Sequence, residues 1–120
     1  MWRHDNIDKV RHRLLRKNII DLSGAVNDDM ARYGRDALMI LVTKNNPDLK
    51  VIITSHGGGI SSGLAIYDMI KNYAGWVTGE VNCFCHSMAV VILQACDHRC
   101  ALPNSNILIH NVMANNLSLD

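Results

Sequence analysis

The sequence lacks a charge imbalance. Twelve lysines and arginines face eleven aspartates and glutamates, for a net charge of +1. No long-range field gathers nucleic acid or anionic lipid, and neither is expected as a partner. Long apolar runs are missing too. Nothing approaches the ~20 residues needed to cross a bilayer, and the first residues lack the apolar core of a signal peptide, so a cytoplasmic setting away from membranes is expected. Internal repeats, linkers and low-complexity stretches are also missing. What is present is 120 residues, 48% apolar and 19% charged, the composition of a single globular domain over 1–120 or of part of one. Only the start is locally basic, with Arg3, Lys9, Arg11, Arg13, Arg16 and Lys17, and it is read as a solvated helix face. Cys83, Cys85, Cys96 and Cys100 can be drawn with His86 and His98 as a zinc cluster. Their C-x-C and C-x3-C spacings are not those of a zinc knuckle, so the four thiols are read as small core residues and no metal or cofactor is expected.

The pattern along the chain alternates helix and strand. Residues 1–17 predict a helix with Ile7, Val10, Leu14 and Leu15 on one face. A strand is expected over 18–23, closed by Gly24. Asn27, Asp28 and Asp29 then open a helix to about Lys44, with Met30, Leu38, Leu41 and Val42 turned inward. The Asn45-Asn46-Pro47-Asp48 stretch is a strong stop. Beyond it, Val51, Ile52 and Ile53 are consecutive β-branched residues, which suits a strand covered on both faces. Strand, helix, strand, helix, strand at this spacing implies parallel crossovers and an α/β architecture.

The stretch from Val51 to Met88 organises the rest. After the apolar run, Gly57, Gly58 and Gly59 let the backbone turn and leave N–H groups free at a helix start. That helix is expected over 60–73, with Leu64, Ile66 and Ile70 at helical intervals. Free amides in such a turn can hold an anion or an oxyanion. A second strand over 76–83 leads to another strand-to-helix junction at His86-Ser87-Met88, with an apolar helix over 88–96. A serine at such a corner projects from the backbone and can act as a nucleophile.

These residues carry a family resemblance. SHGGGISSGLAIYD resembles the glycine turn and helix of ClpP, the proteolytic subunit of Clp protease. HSMAVVI is similar to that family's nucleophile corner, and RCALPNSNILIH, from Arg99 to His110, to its strand segment ending in the catalytic histidine. LLRKNIIDLSGAVNDDMA resembles its first strand and helix start. The resemblance implies a ClpP/crotonase-like spiral of ββα units with a parallel sheet, incomplete here, the handle and C-terminal segment lying beyond the match. It implies a serine endopeptidase that cleaves polypeptides inside a homo-oligomeric ring beside an AAA+ unfoldase ATPase. Residue by residue, Ser87 becomes the nucleophile, His110 the base, and the backbone amides of Gly58 and Met88 the oxyanion hole. The family's triad aspartate has no counterpart, and Asp120 is not expected to replace it.

The departures are specific. His56 stands for the family's proline, Cys83 for a glycine, His86 for an alanine and Val112 for a proline. A non-catalytic subunit that shapes a ring or its gate is the competing class. An acyl-CoA enzyme of the crotonase type is disfavoured, because such enzymes usually act through carboxylates and Glu80 is the only glutamate.

Overall fold

The computed structural model describes residues 4–109, with side chains over 8–109. Helix α1 (His4–Arg16) ends where Asn18 takes a left-handed φ of 62°. The Asn18 carbonyl then accepts from the Lys50 amide at 3.0 Å. Strand β1 (Ile19–Ser23) follows. Helix α2 (Asp28–Thr43) begins as its sequence predicts, because the Asn27 side chain accepts from the Met30 amide at 3.0 Å and Asp28 and Asp29 sit in the positive first turn. It ends at the predicted stop, where Asn45 and Asn46 take φ of 68° and 54° ahead of Pro47.

Strand β2 (Leu49–Ser55), helix α3 (Ile60–Asn72), strand β3 (Val77–His86) and helix α4 (Met88–Leu93) come next. Two short strands, β4 (His98–Ala101) and β5 (Asn106–Leu108), close the described chain. All pairings are parallel, in the order β1-β2-β3-β4, with β5 beside β3 as well. The α/β parallel architecture is therefore as expected. Both β4 and β5 lie on one edge of β3: β4 pairs Thr78–Val81 and β5 pairs Phe84–His86. The stretch over 98–108 is thus two strands split by a turn, not one.

Parity decides what is buried. Ile20, Leu22, Val51, Ile53, Val77 and Val81 point to one side of the sheet and meet Leu38, Leu41, Ile66, Ile70, Ala89 and Ile92 from the helices. The other side is half-buried, so β2 alternates and is not covered equally on both faces. Ile52 lies there, near the Lys50–Glu80 ion pair at 3.4 Å.

Several inward assignments are corrected. Val42 is 53% exposed and Leu64 47%. The buried stripe of α2 is Met30, Gly34, Ala37, Leu38 and Leu41, and one more step of about 100° carries Val42 past the contact. On α3 the stripe is Ser62, Gly63, Ile66 and Ile70, so Leu64 is rotated outward. On α1, Val10 is exposed while Leu15 packs on the core, and Ile7 lies outside the described side chains. Helix α4 stops at Leu93, shorter than expected, and a turn carries Cys96 back against β3. The core reading of the cysteines holds for Cys85 and Cys96 but not for Cys83 and Cys100, which are exposed.

Candidate functional site

The site forms where two strands end side by side. Strand β2 stops at Ser55, whose buried hydroxyl oxygen accepts the Gly57 amide at 3.0 Å. The chain then turns through Gly57 at φ +98° and Gly58 at φ +155°, values that L side chains rarely adopt. Val26, from the loop before α2, pins this turn on both sides. Its amide donates to the Gly57 carbonyl at 3.0 Å, and its carbonyl accepts from Gly59 at 2.8 Å. With its neighbours tied, the Gly58 amide has no acceptor among the described residues.

Strand β3 runs past β2 with an irregularity. Ile53 pairs with Val81, but Ser55 pairs with Cys85, so β3 spends two extra residues here. A bulge of this kind bends a strand and re-aims the side chains that follow. Cys83 takes φ +67° within it, and the Thr54 hydroxyl donates to the Asn82 carbonyl at 2.9 Å across it. That left-handed φ gives a physical reason for the glycine that the resemblance puts at position 83.

Ser87 follows directly. It sits between β3 and α4 at φ 56° and ψ −124°, a sparsely populated backbone state for a side-chain-bearing residue. Its amide donates to the Leu108 carbonyl at 3.0 Å, so β5 holds the corner from one side. The glycine turn holds it from the other: a Cβ on Gly57 would lie 2.8 Å from the Ser87 Cβ and 3.1 Å from the Met88 nitrogen. Only a glycine lets the backbone approach this closely. The Ser87 hydroxyl has no hydrogen-bond partner among the described residues. The Met88 amide, at the first position of α4, has no intrahelical acceptor. Ser87 and Met88 thus lie against Gly57, the chain neighbour of Gly58, whose own close approach is to Val26, whereas His110 and Asp120 lie outside the described residues.

A further cluster borders the corner. His56 stacks on Phe84, with centroids 3.8 Å apart and planes at 11°. His56 Nδ1 lies 3.0 Å from His86 Nδ1, and His86 Nε2 lies 2.8 Å from Asn106 Oδ1. Both His56 and His86 are positions where the sequence departs from the family's pattern. The only available signal was that both stand at strand-to-turn corners. An open groove of about 720 Å³ between α1 and the β1–α2 loop includes Asp8, Arg11, Asp21 and Asn27, but neither Ser87 nor Gly58.

With that geometry in hand, comparison with known proteins is decisive. Residues 3–116 match the family model for Clp protease. The chain belongs to the Clp protease family. The chain is 38% identical over 104 residues to the ATP-dependent Clp protease proteolytic subunit of Carsonella ruddii (strain PV), covering 82% of this chain and 52% of that protein. It is 43% identical over 101 residues to the subunit of the same name from Ligilactobacillus salivarius (strain UCC118), covering 82% and 51%. Among solved structures, the ClpP1 N165D mutant from Listeria monocytogenes superposes with a TM-score of 0.79 at 26% identity, covering 84% of this chain and 60% of that one. The chain therefore spans about half the length of the curated relatives it matches.

Proposed function

We propose that this chain contributes the nucleophile corner of a Clp-type serine endopeptidase acting on unfolded polypeptides. The observation that carries the reading is the strained φ of Ser87 at a strand-to-helix corner against the Gly57-Gly58 turn. In this reading the Ser87 hydroxyl oxygen attacks the peptide carbonyl while the imidazole of His110 takes its proton. The developing oxyanion accepts hydrogen bonds from the Gly58 and Met88 amides, neither of which has an acceptor among the described residues. His110 then passes the proton to the leaving amine, and water cleaves the acyl-enzyme by the same route. No residue of these 120 is assigned the role of the acid that would orient His110. The working unit in this reading is a homo-oligomeric ring fed by an AAA+ unfoldase ATPase; membership of the Clp protease family and the relatives' description as ATP-dependent proteolytic subunits support it. A cytoplasmic location fits it.

A fluorophosphonate probe tests the reading, because phosphorus is attacked quickly only by a serine with a nearby base and oxyanion donors. The probe is expected on Ser87 and absent from the Ser87→Ala variant. No labelling in a folded, assembled sample would instead favour a non-catalytic ring subunit.

A further inference from the structure

We propose that His56 and His86 form a two-nitrogen site for a divalent transition-metal ion, of the nickel or copper type, on the rim of the Ser87 corner. Four observations carry it. The two Nδ1 atoms face each other at 3.0 Å. With metal–nitrogen bonds of about 2.05 Å, that spacing subtends about 95° at a shared ion. Such an angle matches cis positions of the square-planar or octahedral coordination that nickel and copper ions take. Imidazole is a ligand that suits such ions.

The proton arrangement favours metal binding as well. Asn106 Oδ1 accepts from His86 Nε2, which therefore carries the hydrogen and leaves His86 Nδ1 unprotonated, the acceptor of the contact with His56. A ligating histidine almost always has its second nitrogen held by a hydrogen-bond acceptor in this way. His56 then donates from Nδ1. To ligate, it gives that proton to solvent and takes one at Nε2, a change of tautomer with no net proton released. A turn of the exposed His56 ring is needed to direct both lone pairs to one point. His56 is exposed, and its stack on Phe84 limits the alternatives open to the ring.

The site stays open. Among the described residues, no three His, Cys, Asp or Glu side chains converge on a metal position. The histidines supply two ligands and water the rest. His86 immediately precedes Ser87, so a bound ion stands next to the corner in the chain.

Calorimetric titration of the chain with Ni²⁺ tests this. One saturable equivalent is expected. His56→Ala and His86→Ala should each weaken binding tenfold or more, and Asn106→Ala by about tenfold, as for other residues that orient a ligating histidine. Cys83→Ser should change nothing. In the unsubstituted protein, paramagnetic Ni²⁺ should broaden the imidazole proton signals of His56 and His86 first, a measurement that needs no variant to fold. Absence of saturable binding, binding that survives both histidine substitutions, loss with Cys83→Ser, or broadening centred on other histidines would each overturn the proposal.

Discussion

Two glycine-to-alanine substitutions should move stability in opposite directions, and the structure gives the size of each. Gly34 is buried in the middle of α2, yet an added Cβ there meets nothing within 4 Å. It borders a void of about 10 Å³ lined by Ile20, Leu22, Leu38, Val51 and Ile66. The void offers at most the space of one water and no polar partner, so it is dry. Gly34→Ala removes the helix-interior glycine penalty and buries a methyl group, together about 1.5 kcal/mol of stabilisation. For a chain of this length that raises Tm by about 6 °C.

At Gly57 the same added atom lands 2.8 Å from the His86 carbonyl oxygen and 2.8 Å from the Ser87 Cβ, at φ +98°. Backbone strain of about 1–2 kcal/mol and overpacking of about 1–3 kcal/mol put the loss near 3 kcal/mol. Tm should then fall by about 12 °C. Thermal unfolding followed by circular dichroism, with both variants at equal concentration, measures the difference. A lower Tm for Gly34→Ala would mean that α2 and α3 leave no room at that position. An unchanged Tm for Gly57→Ala would refute the close approach of the turn to the serine corner.

Burial pushes the Cys85 thiol up to about 11 and the Cys96 thiol up to about 12, from an ordinary value of 9. Between these values the unfolded chain binds fewer protons than the folded one, so stability must fall as pH rises. The expected loss is about 2 kcal/mol between pH 9 and 10 from the pair, seen in urea unfolding, and a Cys85→Ala/Cys96→Ala variant should lose that slope although it starts less stable. Cys83→Gly should raise stability by about 1 kcal/mol, because it relieves a left-handed φ of 67° at an exposed side chain with little packing to lose. A decrease in the urea midpoint would show that the Cys83 side chain makes a contact worth more than its strain.

Elements with local causes were legible in the residues themselves. Asn27 caps α2 through its own neighbour Met30, the Asn45-Asn46-Pro47 stop ends it, and three successive glycines turn the chain after β2. Each rests on backbone sterics or on hydrogen bonds spanning a few residues, so the alternation of strand and helix follows from the sequence alone. The strand-to-helix context of Ser87 was legible for the same reason. What depends on register between distant strands was not. The two extra residues of β3 exist only relative to β2, and they lengthen that strand to His86 and put Cys83 in a left-handed state. The outward rotation of Val42 and Leu64 depends on which stripe of each helix meets its neighbours, which a list of apolar positions leaves open. The His56–His86 contact spans thirty residues. It arises because parallel pairing of β2 and β3 brings their C-terminal ends together, while β5 supplies Asn106 from the far edge of β3. Periodicity within one segment carries no information about such a meeting, and only the tertiary structure decides it.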